Sequence, residues 1–206
     1  MPQAVLIVCI LLIVYLIGAI PFGLAIGKAF FKIDPREHGS KNIGATNVYR
    51  VIGWKAGAPV FALDLGKGLI PVLLMRHAFP SASWWIILTG FAAIMGHTYS
   101  PFLGFKGGKG VATSLGVAFG LSWQGSLVCF FTWLAIVLTT GYVSLASIAV
   151  TPLGAVLVYY LNDHNVAYGV FGAIITVFVI VKHRANIKRL IHGEELKTTF
   201  GKKKAE

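Results

Sequence analysis

Apolar residues recur along the whole chain in long runs, and this pattern limits the possible folds more than any other feature of the sequence. Seven runs are present: Ala4–Ile26, Ala56–Leu74, Trp84–Met95, Val111–Leu121, Ser126–Leu138, Tyr142–Leu161 and Val166–Val181. Only 12% of the residues are charged, against about 25% in an ordinary soluble domain. The polar groups are too few to cover a surface in water, so we predict an all-α integral membrane protein.

Lys and Arg residues are distributed unevenly over the connections between these runs. The connections 27–55 and 96–110, together with the tail from Lys182, contain sixteen of the eighteen. The opposite connections contain Arg76 alone, and Lys67 lies inside a run. Since short loops rich in Lys and Arg stay in the cytoplasm, we predict about seven spans, some of them short, with the N-terminus outside and the C-terminus cytoplasmic. Residues 1–206 are predicted to form a single membrane domain.

The run Val111–Leu121 is short for a membrane span. Its 11 residues would form a helix of about 16 Å, whereas the hydrocarbon core is roughly 30 Å thick. We therefore predict that the preceding loop dips into the membrane and lines a polar cavity that is open to the cytoplasm. Gly116 and Gly120 form a small-residue step that predicts close packing against another helix.

Two polar stretches on the predicted cytoplasmic side are rich in groups that bind anions. The first runs from His38 to Arg50 and offers Gly39, Ser40, Asn42, Thr46, Asn47 and the planar fork of Arg50. The second places Lys106 and Lys109 among Gly107, Gly108 and Gly110, directly before a predicted helix N-terminus at Val111. Neither core contains a carboxylate, and both therefore predict a phosphate site. The alternatives are interfacial lysines that bind lipid headgroups and ordinary turn or capping use of Ser, Asn and Gly.

A third polar stretch follows the last run. His183 and Asn186 are spaced i, i+3, so a helix would put both on one face, where they could contact a hydroxylated substrate. The neighbouring cations also serve as topology signals. Inside the second run, Asp64 and Lys67 have the same spacing and are expected to form a self-neutralising pair, with a catalytic role as the alternative.

The segments "GSKNIGATN", "ALDLGKG", "FKGGKGVAT" and "HRANIKRL" together resemble the bacterial glycerol-3-phosphate acyltransferases that use acyl phosphate, the PlsY family. The resemblance covers nearly the whole chain. It implies phosphate binding by Ser40, Arg50 and Lys109, with Lys106, Thr46 and the Gly107–Gly108 backbone nearby. It also implies that His183 and Asn186 contact the glycerol hydroxyls.

The resemblance further implies an enzyme of the bacterial cytoplasmic membrane that esterifies the 1-hydroxyl of glycerol 3-phosphate and gives lysophosphatidic acid. Acyl phosphate, glycerol 3-phosphate and membrane lipid would be its partners, without nucleic acid, metal, cofactor or obligate protein partner. None of the six histidines is followed by Asp at the spacing of thioester-using acyltransferases, and no G-x-S-x-G elbow is present. The alternatives are an organophosphate transporter or channel, for which no internal repeat is found, and a membrane lipid phosphatase.

Overall fold

The computed structural model describes residues 3–198, which contain ten α-helices and no strand. The helices are α1 Gln3–Ala19, α2 Phe22–Phe31, α3 Ala45–Ile52, α4 Trp54–Ala78, α5 Ser83–Thr98, α6 Val111–Leu121, α7 Trp123–Thr140, α8 Val143–Tyr160, α9 Val166–Lys182 and α10 Arg184–Ile191. Six of the predicted runs each correspond to one helix and Ala4–Ile26 corresponds to α1 and α2, which confirms the all-α membrane fold. Lys202, Lys203 and Lys204, which were counted in the predicted cytoplasmic tail, lie outside the described residues.

Helix length separates the predicted spans into two kinds. Within residues 3–198, five segments are long and apolar enough to cross a membrane: Ala4–Phe31, Trp54–Ala78, Ser83–Leu103, Trp123–Thr140 and Val143–Tyr160. A sixth is reached if α9 and α10, which meet at a bend of 59°, count as one span. Helix α6 is shorter, as its sequence predicts. Seven spans and the orientation in the membrane stay predictions.

The helices pack in two groups. Helix α6 has its main contact with α4, and α1 packs along α5, whereas α8 packs on α7 and α9. The seam between α6 and the α8–α9 pair contains a large cavity. We call the end of the bundle that carries α3, loop 104–110 and α10 the basic end.

Close packing fixes the depth of α6. A Cβ added at Gly116 would overlap the carbonyl of Leu65, and one added at Gly68 would overlap the carbonyl of Thr113. These contacts confirm the predicted role of Gly116 in helix packing. Because Gly68 lies near the middle of α4, the first half of α6 packs at that level of the bundle. The dip of loop 104–110 into the membrane stays a prediction.

Arg76 stabilises the other end of α6. Its Nη1 donates hydrogen bonds to the carbonyls of Gly120 (3.1 Å) and Leu121 (3.0 Å). The last carbonyls of a helix have no partner within that helix, and the helix dipole favours a cation there. The only Lys or Arg in the predicted external connections is therefore part of α4 and caps a neighbouring helix.

We expect Arg76→Ala to lower the free energy of unfolding by about 1–2 kcal/mol, the usual contribution of hydrogen bonds to a charged group. The measurement is thermal or denaturant unfolding of the purified protein in detergent. His77→Ala changes the adjacent exposed residue and serves as the control. Equal losses in the two variants would show that the contacts of Arg76 with α6 contribute nothing.

Candidate active site

One cavity of about 250 Å³ brings the predicted site residues together from three parts of the chain. Nine of them line it: Ser40, Asn42, Thr46, Asn47, Arg50, Lys109, Gly110, His183 and Asn186. Among the described lining residues, Gly39, Lys106, Gly107 and Gly108 are absent. All five residues predicted to be catalytic thus lie around one space, and the side chain of Lys106 points out as an exposed cation.

Lys109 begins a hydrogen-bonded chain at the basic end, and this chain leads through Asn186 to Glu195. The Lys109 ammonium donates to Oδ1 of Asn186, whose Nδ2 donates to Oε1 of Glu195 at 2.6 Å. Glu195 also accepts from Ser144 Oγ (2.8 Å) and from Arg189 Nε (2.7 Å). Burial lowers the pKa of the Lys109 ammonium to about 8. Glu195 therefore holds Asn186 and Lys109 in place, and the ammonium is a partly desolvated donor that faces the cavity.

The hydrogen bond of His183 defines its tautomer. Nδ1 lies 2.8 Å from the carbonyl oxygen of Val179, and a carbonyl only accepts, so Nδ1 carries the proton. Burial and the charge of Lys109 lower the pKa of this imidazole to about 4. Neutral His183 consequently has an unprotonated Nε2 that can accept a hydrogen bond from a hydroxyl group, although it is a weak base.

Arg50 is held by the segment that follows the last helix. Its Nη2 donates to Thr198 Oγ1 (2.8 Å) and to the carbonyl of Leu196 (3.3 Å). We call residues 194–198 the C-terminal strap. Within the described residues, the buried Nε of Arg50 has no hydrogen-bond partner. An unsatisfied guanidinium N–H beside a cavity is well suited to donate a hydrogen bond to an anion.

Asn47 uses its amide to build the loop before α3. Its Nδ2 donates to the carbonyls of Pro35, His38 and Asn42, and its Oδ1 accepts from the backbone N–H of Ser40 at 2.7 Å. The loop passes so close that a Cβ at position 39 would overlap Oδ1 of Asn47. Asn47 therefore positions Ser40 and Asn42, and both hydrogens of its amide are already engaged, so it has no donor left for an anion.

Glycines 107 and 108 serve close packing. Gly107 N–H donates to Thr98 O (3.0 Å) and Gly108 N–H donates to His97 O (3.1 Å), so the predicted contacts of these amides with an anion would require both bonds to break. A Cβ at position 108 would overlap Nε2 of His97. The backbone at Gly110 is left-handed, with φ +80°, and α6 begins directly after it. Val111 and Ala112 at the α6 N-terminus line the cavity, and this helix end favours an anion.

The cavity wall also contains polar residues that the sequence analysis did not assign to the phosphate site. Asp64 was predicted only as half of an ion pair, with a catalytic role as the alternative, and the others were not singled out: His97, Ser114, Ser144, Ser147, Thr151 and Glu195. The predicted Asp64–Lys67 pair is confirmed, with 2.8 Å between Nζ and Oδ1, and Nδ1 of His97 lies 3.5 Å from the same oxygen. The cost of intramembrane charge was the signal that drew attention to Asp64. Nothing in the local sequence distinguishes Glu195 from its neighbour Glu194.

Beyond the polar end, the cavity continues between α6, α7, α8 and α9 as an apolar channel that we call the shaft. Its wall includes Leu115, Leu121, Phe130, Val158, Phe171 and Ile175. Inside a bundle of membrane helices, cationic and amide groups thus open directly onto a space suited to an aliphatic chain. The fold and the site together define an integral membrane protein in which one cavity combines anion-binding groups with an apolar channel.

The chain belongs to the glycerol-3-phosphate acyltransferase family, because the family profile described as "Glycerol-3-phosphate acyltransferase" matches residues 8–193. A glycerol-3-phosphate acyltransferase of Lactiplantibacillus plantarum is 42% identical over 95% of this chain and 93% of its own. A glycerol-3-phosphate acyltransferase of Aquifex aeolicus is 46% identical over 88% of this chain and 93% of its own. These relatives confirm the resemblance drawn from the motifs.

Two solved structures have the same fold. The glycerol 3-phosphate form of PlsY (YgiH), an integral membrane glycerol 3-phosphate acyltransferase, superposes with a TM-score of 0.89 at 42% identity, covering 94% of this chain and 96% of that one. Its lysophosphatidic acid form superposes with a TM-score of 0.86 at 41% identity and covers 94% of this chain and 95% of its own. The same architecture thus accommodates both a soluble phosphate and a lipid in a close relative.

Proposed function

We propose that this protein transfers a fatty acyl group from acyl phosphate to the 1-hydroxyl of glycerol 3-phosphate, giving lysophosphatidic acid and inorganic phosphate. The observation that supports this best is the continuity of the cavity, in which Arg50 and Lys109 border the same space as the apolar shaft. A soluble phosphate and a lipid chain can meet there without either leaving its preferred solvent. The relatives solved with glycerol 3-phosphate and with lysophosphatidic acid support the same substrate and product.

The proposed reaction is a direct displacement at the acyl carbonyl carbon. The glycerol oxygen forms a bond to that carbon, the carbon–oxygen bond to phosphate breaks, and the departing phosphate takes the hydroxyl proton. His183 Nε2 accepts a hydrogen bond from the attacking hydroxyl and orients it. Arg50 and Lys109 hold the two phosphates, which would otherwise repel each other.

The pKa of His183 favours acyl phosphate over a thioester donor. A group whose pKa is about 4 removes a proton poorly near neutral pH, where a general base works best with a pKa close to the working pH. A phosphate leaving group has a second pKa near 6, by analogy with phosphoserine, so it can take the proton itself. A thioester is a less activated acyl donor than a mixed anhydride with phosphate, so the attacking hydroxyl would need stronger general-base help than this weakly basic imidazole provides.

The deciding experiment incubates the purified protein in lipid with glycerol 3-phosphate and either palmitoyl phosphate or palmitoyl-CoA, and measures lysophosphatidic acid. We expect product from palmitoyl phosphate alone. Product from palmitoyl-CoA would overturn the donor assignment. Absence of product from both, with folded protein, would reject the enzyme, and uptake of labelled glycerol 3-phosphate into sealed vesicles would then test transport.

The site is proposed to face the cytoplasm from the bacterial cytoplasmic membrane. The described Lys and Arg residues gather mainly around α2, α3 and α10, and the positive-inside rule assigns such an end to the cytoplasm. Glycerol 3-phosphate would then reach Lys109 directly from the cytosol.

Lys109 predicts a fall in activity at alkaline pH. Its pKa is lowered to about 8, so the ammonium is present below pH 8 and is lost as the pH rises through that value. We expect kcat/KM for glycerol 3-phosphate, which reports the free enzyme, to fall about tenfold per pH unit above pH 8. Arginine keeps its charge over this pH range, so Lys109→Arg should abolish the fall in kcat/KM above pH 8. If kcat/KM of Lys109→Arg falls above pH 8 as in the wild type, the titrating group is not Lys109.

A further inference from the structure

We propose that the closed floor of the shaft limits the length of acyl chain that the protein accepts, and that Gly154 and Phe171 set this limit. The inference rests on the proposed function, because the occupant of the shaft is taken to be the acyl chain of the donor. Continuity with the phosphate-binding end supports that occupant, since the shaft begins where the acyl carbonyl would lie.

The depth of the shaft follows from the helices that form its wall. Along α9, His183 at the polar end is 12 residues from Phe171, about 18 Å at 1.5 Å per residue. Along α6, Gly110 and Leu121 are 11 residues apart, about 16 Å, and along α8 Ser144 and Val158 are 14 apart, about 21 Å. All of these residues line the same cavity. Three independent helices thus give a depth of about 16–21 Å.

The deep end of the shaft is closed by core packing. Leu121, Val158 and Phe171 are 2%, 6% and 7% exposed. All three belong to one buried apolar cluster that also includes Met75 and Tyr168. A chain that reaches this level meets close-packed side chains, so its end has no further space.

The depth corresponds to a definite number of carbons. With carbon–carbon bonds of about 1.5 Å and tetrahedral angles, an extended chain advances about 1.25 Å per carbon. A shaft of about 16–21 Å therefore holds about 13–17 carbons. We therefore expect the preferred donors to have about 14–16 carbons.

Gly154 is the wall position at which the shaft can be shortened without disturbing the helices. A Cβ there would meet only Cys129 Sγ, at an ordinary 3.4 Å, so a larger side chain has room to extend. Gly172 is different, because its Cβ would lie 2.7 Å from Ala155 Cα in the α8–α9 contact. Gly154 is about 15 Å from Ser144 along α8, so leucine at this position would obstruct the lower part of the shaft.

The test measures kcat/KM for a series of acyl phosphates from 8 to 20 carbons in the wild type, Gly154→Leu, Gly154→Ala and Phe171→Leu. In the wild type, kcat/KM should change little with chain length until the chain reaches the floor, because its methylenes pass from lipid into an equally apolar shaft. Beyond that length, which we call the break, kcat/KM should fall, because the chain end meets close-packed side chains. We expect Gly154→Leu to move this break at least two carbons shorter, with Gly154→Ala intermediate. Phe171→Leu should move it longer.

Gly66→Leu is the matched control. Gly66 is also a helical glycine with open space, its Cβ meeting only Ile70 Cδ1 at 3.8 Å, but it does not belong to the cavity wall. It should keep the wild-type profile, and activity on decanoyl phosphate checks that each variant is folded. A Gly154→Leu enzyme that uses decanoyl phosphate with an unshifted break overturns the inference alone. A wild type that gives no product at any length overturns the proposed function and this inference with it.

Discussion

Lys109→Ala should lower kcat/KM for glycerol 3-phosphate by about 100- to 1,000-fold, equivalent to about 3–4 kcal/mol. The ammonium is partly desolvated, and Asn186, Glu195 and Arg189 form the hydrogen-bonded chain that fixes its position. Truncating one member of a desolvated charge pair costs about 2–5 kcal/mol, because the bound phosphate loses its counter-charge. Lys109→Arg should retain more activity, since it keeps the charge while changing its shape.

The measurement is the initial rate of lysophosphatidic acid formation at several concentrations of glycerol 3-phosphate. Lys188→Ala is a suitable control, because Lys188 is an exposed cation on α10, next to the site but outside the cavity wall. It should change kcat/KM less than about threefold. A loss below fivefold in Lys109→Ala would place the phosphate elsewhere in the cavity.

Gly108→Ala should lower activity by at least about 100-fold, because catalytic groups displaced by about 1 Å can lose that much. The added methyl group would occupy the position of the His97 ring, which is 5% exposed and packed beside Asp64. Loop 104–110 would have to move outwards and take Lys109 with it. The protein should still fold, since overpacking of this kind typically costs about 1–3 kcal/mol.

A double variant distinguishes this cause from a general loss of structure. If the methyl group acts by colliding with the ring, His97→Ala should cost clearly less in the Gly108→Ala background than alone. Gly66→Ala adds the same methyl group to an open helical site and should leave the activity unchanged. Strictly additive effects of the two changes would exclude the collision as the cause.

Much of the fold could be predicted from the sequence because apolar run length reports directly on burial in lipid. The run Val111–Leu121 matches α6 at both ends, and the other runs differ from their helices mostly by a few residues. The N-terminal run is divided at Pro21 into α1 and α2. Helix α3 was not predicted, because its eight residues are amphipathic, with polar groups directed to the cavity.

The site was predicted less evenly than the fold. Residue chemistry identified Ser40, Arg50 and Lys109 as anion donors, and all three line the cavity. The role of Gly107 and Gly108 could not be predicted. Glycine is the residue expected both where a backbone amide contacts an anion and where two segments pack closely, so the sequence does not distinguish these roles. Only the fold reveals that His97 packs against them. The shaft could not be predicted from the sequence either, because its wall is composed of apolar residues that are ordinary in membrane helices.

Because of the C-terminal strap, the site is completed only after the described helices have been synthesised. Glu195, Leu196 and Thr198 follow every described helix, so the ribosome adds them after all predicted spans have been made. Until then Arg50 lacks Thr198 and the carbonyl of Leu196, and Asn186 lacks the carboxylate of Glu195. A chain that ended after Leu190 would contain nearly the entire membrane bundle but an unfinished anion site. Premature termination would therefore give an inserted protein with a loosened Arg50, and little or no activity at the membrane.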